Sequence, residues 1–172
     1  MPEVFLYRHR VESDEIDMLG HANNVVYVRW LQDAAVAHSE AQGWPGRRHL
    51  VVGSGWVVRS HYIEYLEPAR AGDEIVVQTW VASFKKVTSV RRYRIYRAGD
   101  GLLLARAETH WAYVTYATGK PCRIPQEVID AFVAAGEEVP PFTPGVDQNR
   151  RRCVEDAAVQ APAVASSPGR LP

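Results

Sequence analysis

The pattern of apolar and polar positions opens with residues 4–11, Val-Phe-Leu-Tyr-Arg-His-Arg-Val, which mix β-branched, aromatic and basic side chains as a strand with one wet face does. A second, longer pattern runs through Arg29 to Gln42, whose composition favours a helix ending at Gly43, a natural residue just past a helix C-terminus. Asn23 and Asn24 are good caps for its start. The intervening Val25-Val26-Tyr27-Val28 would pass for a strand locally, so the helix start is open by one turn. A Gly-, Pro- and Arg-rich connection follows, residues 43–55. Four strand-like segments come next, near 56–66, 74–84, 87–98 and 102–116, separated by the turns Pro68 to Asp73, Lys85-Lys86 and Gly99-Asp100-Gly101. Their short connections predict antiparallel neighbours, and 87–97 with 102–116 reads as a hairpin. A last helix is predicted over 125–135, with Pro125 in its first turn. This order is an α+β layout in which one long helix covers one antiparallel sheet.

The composition changes near Glu137. Six prolines, Pro140, Pro141, Pro144, Pro162, Pro168 and Pro172, punctuate a stretch poor in large apolar residues, which also holds Arg150-Arg151-Arg152. Such a stretch buries too little to order itself. The division expected is a domain over 1–136 and a Pro-rich tail over 137–172, mobile over 145–172 unless something docks it. The 172 residues suit one core, and 47% hydrophobic residues supply it. With 20 basic and 20 acidic residues there is no overall field to favour nucleic acid or an anionic membrane. Neither a secretory leader nor an apolar run of spanning length is read in the chain, so a cytoplasmic protein is expected. Cys122 and Cys153 form no CxxC and read as plain thiols.

Asp17-Met18-Leu19-Gly20-His21-Ala22-Asn23-Asn24 sets a carboxylate, an imidazole and two amides directly before the helix. Unpaired N–H groups and the positive dipole end there can hold an oxygen that gains negative charge, a place for chemistry on a carbonyl. Taken singly, each residue has a plainer reading: Asp17 as a loop acid, His21 as its hydrogen-bond partner, the asparagines as caps, and Tyr27 with Trp30 as core. No metal is expected at Asp14, Asp17 and His21, because His9, His38, His49, His61 and His110 are scattered singly. Lys85 to Arg94 reads as a solvated strand surface with Arg92, Arg94 and Tyr96 on one face.

The pattern D-x-x-G-H-x-N-N-x-x-Y-x-x-W over Asp17 to Trp30 resembles the hotdog-fold acyl-thioester hydrolases of the 4-hydroxybenzoyl-CoA thioesterase family. His21 to Trp30 is also similar to the H-V-N-N-x-x-Y-x-x-W motif of acyl-carrier-protein thioesterases. The resemblance extends over residues 4–135, through Tyr65 to Asp73 and Thr118 to Pro125. It implies a hotdog fold, a curled five-stranded antiparallel sheet wrapped around one long helix, with two chains paired edge to edge and the site between them. A homodimer or homotetramer is therefore expected. It further implies Asp17 as nucleophile or as base for water, N–H groups around Ala22 to Val25 as oxyanion donors, His21 as a site histidine, and Glu67 as an additional carboxylate. Tyr27 would wall the acyl pocket, and Arg59, Lys85, Lys86, Arg92 and Lys120 would contact coenzyme A phosphates. No cofactor is implied beyond coenzyme A as part of the substrate. The plant-type carrier-protein enzymes have Asn two residues after the aspartate where this chain has Leu19, which leaves the carrier open between coenzyme A and acyl carrier protein. The competing classes are an acyl-thioester sensor on the same fold and an enoyl-thioester hydratase. The second is weaker, since the N-P-x-H that follows the hydratase aspartate is absent after Asp17.

Overall fold

The computed structural model describes residues 4–145. Strand β1 (Phe5–Arg10) leads through a 3-10 turn at Ser13–Glu15 into helix α1 (Asn24–Ala41), then helix α2 (Gly46–Val52) and strand β2 (Ser54–Tyr65). Strands β3 (Glu74–Phe84), β4 (Thr88–Arg97) and β5 (Leu103–Thr115) and helix α3 (Gln126–Asp130) complete the chain. The strands form one antiparallel sheet in the order β1-β3-β4-β5-β2. It curls around α1, the hotdog architecture that the motif implies.

Helix wins over strand at Val25 to Val28 because α1 begins at Asn24 with Asn23 as its cap. The face recurring at Tyr27, Trp30, Leu31, Ala34 and His38 is buried, while Val25 and Val36 stay exposed. Tyr27, Trp30, Leu31 and Ala34 pack on Val11, Ile75, Val77, Tyr93, Ile95, Leu104, Ala105 and Ala107 from the sheet's inner face. Side chains such as Trp30 and Leu31 each contribute about 1.5–3 kcal/mol by leaving water. The helix ends where Gly43 takes φ +80°, a conformation other residues adopt only with strain.

Four expectations are corrected. Residues 43–55 hold α2, a seven-residue helix ended by left-handed Gly53, rather than only a connection. The last helix is shorter than 125–135 because Phe132 turns into the cluster of Trp44, Tyr113, Ile124 and Val128. The short connection between β2 and β3 does not join neighbours: β2 is an edge strand on β5, and β3 lies between β1 and β4. Residues 66–73 therefore cross the end of the sheet, where the N–H groups of Leu66 and Glu67 donate to Leu104 O at 2.9 and 3.1 Å.

The fourth correction concerns the tail, which does not begin at 137. Val139 is buried with Trp80 and Ala82, and Phe142 with Val76 and Tyr96, on the outer face of the sheet. Trp80 Nε1 donates to Gly136 O at 3.0 Å and Gln78 Nε2 to Pro140 O at 2.9 Å. Arg92 pairs with Glu137, and Arg94 with Glu138. The composition was poor in apolar residues, but two placed over an aromatic-bearing strand suffice to bind the segment. With helix on one side and this strap on the other, β3 is buried on both faces from Ile75 to Ala82. The expected mobile stretch after Gly145, with the basic triplet and Cys153, lies outside the described residues.

Candidate active site

The loop before α1 is folded by its own backbone. The Gly20 N–H donates to Asp17 O at 3.0 Å, closing a turn that Gly20 completes at φ +76°. The Asp17 N–H donates to His21 O at 2.8 Å. Inside this turn Asp17 Oδ1 accepts from the Leu19 N–H at 2.8 Å and from the His21 N–H at 3.3 Å. One carboxylate oxygen is thus held by backbone, and Oδ2 has no protein partner among the described residues. The His21 ring likewise makes no hydrogen bond there, so the Asp17–His21 link runs through backbone and not through the imidazole.

The first amides of the helix are less available than the sequence alone suggests. Ala22 donates to Ala69 O at 2.8 Å, Asn23 to Glu15 O at 2.9 Å, and Val25 to the Asn23 side-chain oxygen at 3.0 Å. Of the four from Ala22 to Val25, only the Asn24 N–H has no partner among the described residues. It stands at the positive end of an 18-residue helix.

The crossing segment 66–73 supplies the opposite wall. Asp17, Leu19, His21, Asn23, Asn24, Tyr27, Tyr65 and Glu67 line one open depression of about 550 Å³. Five residues picked from sequence as catalytic, Asp17, His21, Asn23, Asn24 and Glu67, thus meet in one place. Tyr27 forms its floor: buried, its hydroxyl accepts from the Ala69 N–H at 3.2 Å, and burial raises its pKa. Tyr65 stands edge-on to it at 5.0 Å and donates to Asn24 O at 3.3 Å.

Behind the loop sits a group that sequence reading missed. Glu15 is only 3% exposed. Its carboxylate bonds to His9 Nε2 at 2.8 Å, to the Glu12 N–H at 2.9 Å, to Trp30 Nε1 at 3.1 Å and to the Arg29 guanidinium. Burial alone would raise its pKa, but these donors outweigh it and hold the group at about 2. Glu15 thereby ties β1 and α1 together two residues before Asp17. Its side-chain partners are 6, 14 and 15 residues away, and only the Glu12 N–H, three residues back, is local.

The candidate phosphate contacts separate. Arg59 and Lys85 line one surface depression with Ser60, Thr88 and His110, and Lys85 with Lys86 and Arg123 lines a second. Lys120 is exposed in the turn before Pro121. Arg92 is removed from the set: it lies on the outer face, bonded to Glu108 Oε2 at 2.9 Å and paired with Glu137.

Residues 11–132 match the Thioesterase-like superfamily. The acyl-CoA thioester hydrolase YbgC of Escherichia coli O6:H1 is 26% identical over 129 residues, covering 75% of this chain and 96% of that protein. Among solved structures, Slr0204, a 1,4-dihydroxy-2-naphthoyl-CoA thioesterase from Synechocystis, superposes with a TM-score of 0.70 at 22% identity, covering 75% of this chain and 95% of the other. SAV2348 from Staphylococcus aureus, solved in complex with CoA, gives a TM-score of 0.71 at 15% identity, covering 76% and 82%. The chain is therefore a member of the Thioesterase-like superfamily, an enzyme of the thioester-hydrolase class on a hotdog fold.

Proposed function

We propose that this chain hydrolyses an acyl-CoA thioester to a free acid and coenzyme A, with Asp17 as the reacting carboxylate. The observation that carries the reading is the pairing of one unpartnered Asp17 oxygen with one unpartnered helix N–H, that of Asn24, in a single depression. The Asn24 N–H donates to the thioester oxygen as it becomes negative, and Asp17 either attacks the carbonyl carbon, giving a mixed anhydride that water then hydrolyses, or removes a proton from the attacking water. The thiolate leaves as a weak base, so little acid assistance is needed. His21 and Glu67, both facing the depression, are positioned to orient water.

Coenzyme A is the favoured carrier because YbgC is named for acyl-CoA substrates and SAV2348 was solved with CoA. Arg59, with Lys85 beside it, sits six residues before Tyr65 on β2, roughly 20 Å along the strand from the reacting end. The pantetheine arm of coenzyme A spans a separation of that kind between thioester and phosphates. We also propose that two copies pair through β2, an edge strand of 12 residues with Val57, Val58 and Tyr62 exposed. A long exposed apolar edge is otherwise a liability.

The test follows thiol release from aliphatic and aromatic acyl-CoA and acyl-carrier-protein thioesters by the intact chain and by Asp17→Asn. Turnover of acyl-CoA falling by about 10³-fold or more in the variant, with unchanged thermal unfolding, supports the assignment. Hydrolysis confined to acyl carrier protein overturns the carrier, and full rate in the variant removes Asp17 and makes Glu67 the carboxylate to examine.

A further inference from the structure

At the far end of α1 a second cavity, about 190 Å³, opens between that helix, α2 and the sheet. Its walls are aromatic: Trp44, Trp56, Phe84, Trp111 and Phe132 line it, with Val36 at the rim. Arg91 also lines it, although the residue is only 6% exposed. Arg91 NH1 donates to His38 Nδ1 at 2.9 Å and to Thr79 Oγ1 at 3.2 Å. Both are neutral acceptors, since burial and the adjacent guanidinium hold the His38 pKa down at about 2. No carboxylate among the described residues pairs with Arg91, and its Nε and NH2 groups have no hydrogen-bond partner there.

A guanidinium keeps its charge in any protein interior. Buried without a counter-charge it is costly, and buried cations are as a rule paired. An anion entering the cavity supplies the missing charge, and the surrounding rings require that the rest of the ligand be apolar. In an engineered protein an apolar cavity of about 150 Å³ admits benzene, so this volume accommodates one ring with a short acid-bearing arm.

We propose that this cavity binds a small aryl carboxylate, its carboxylate bonded to Arg91 and its ring held among the tryptophans. The site is separate from the Asp17 depression: Asn24 and Val36 are twelve residues apart on α1, about 18 Å along its axis. Binding here requires no turnover at Asp17, so it stands whether or not the chain hydrolyses acyl-CoA. A free carboxylic acid is also the chemical class that a thioester hydrolase releases.

The experiment titrates the full chain with benzoate and with 3-phenylpropanoate by calorimetry, reading tryptophan fluorescence in parallel, with benzyl alcohol as the uncharged control. Saturable one-site binding of a carboxylate, weakened at least about tenfold in Arg91→Gln and at least about tenfold for the alcohol, supports the site. Arg91→Gln removes a buried charge, and its unfolding curve is recorded alongside. Val36→Phe, a change at a half-exposed rim position, blocks the mouth; it is expected to abolish carboxylate binding while thiol release from acyl-CoA is unchanged. Equal affinity for acid and alcohol, undiminished binding in Arg91→Gln, or no binding at millimolar concentration overturns the proposal. A fall in hydrolysis that tracks lost binding in Val36→Phe also overturns it, by making the cavity part of the thioester site.

Discussion

A single buried carboxylate, Glu15, ties β1 to α1 two residues before Asp17. Its folded pKa of about 2 lies below the ordinary 4.5, so it favours the folded state above pH 4.5, and that contribution is lost as pH falls from there toward 2. Glu15→Gln is expected to lower stability by about 3 kcal/mol at pH 7 and to flatten the acid limb of a urea-unfolding series across that window. A variant whose stability and acid limb match the parent would remove Glu15 from this role. His38 acts in the same direction over a higher range. Because its folded pKa sits near 2 and the ordinary value is 6.5, only the unfolded chain takes up the proton as pH drops below 6.5, and stability declines by up to about 1.4 kcal/mol per pH unit. At this scale the sequence was informative where chemistry is contiguous. Asp17, His21, Asn23 and Asn24 stand within eight residues, and one loop and one helix start hold them. Glu15 and Arg91 were illegible because what makes them unusual, burial with or without a counter-charge, depends on residues far away in the chain.

Among the elements, the start of α1 carries both stability and the candidate chemistry. Asn23→Ala removes the cap on the Val25 N–H and is expected to cost about 1 kcal/mol by thermal or urea unfolding. It frees a second amide at the helix end, so a change in rate there cannot be read as loss of a catalytic side chain without the stability measurement beside it. The five strands and the long helix were legible, since alternation, caps and turn residues are local signals and all agree. The helix α2 was not: seven residues flanked by Pro45 and Gly53 have too short a period to stand out, and packing of Trp44 and His49 at 5.2 Å accompanies it. Strand adjacency was misread at β2 and β3 because loop length reports distance along the chain, while the crossing of the sheet's end is set by which edges remain free once β3, β4 and β5 have paired.

For the whole molecule, the outer face of the sheet is closed by the strap at 136–142. Phe142→Ala leaves Val76 and Tyr96 facing water and is expected to cost about 3 kcal/mol, read as a lowered urea midpoint with little change in slope. An unchanged midpoint would show that the strap contributes nothing to the fold. The proposed pairing through β2 makes a separate prediction: Tyr62→Glu, on an exposed edge position, shifts a dimer to monomer in light scattering and lowers hydrolysis with it, whereas a monomeric parent of full activity would end the pairing model.

The strand order also has a kinetic consequence. Strands β3, β4 and β5 are joined by tight turns and pair with their sequence neighbours, so their contacts close small loops. By contrast β1 finds β3 about 70 residues away, and β2 finds β5 about 50 residues away. The central meander is the expected early structure, with the two outer strands joining afterwards. Every residue of the Asp17 depression lies before β2 ends or in the crossing that follows it, outside that meander. The Asp17 depression is thus expected to assemble last and to open first: in native-state hydrogen exchange, the Ala22 amide bound to Ala69 should exchange by a lower-energy opening than the amides of Val77 and Ile95.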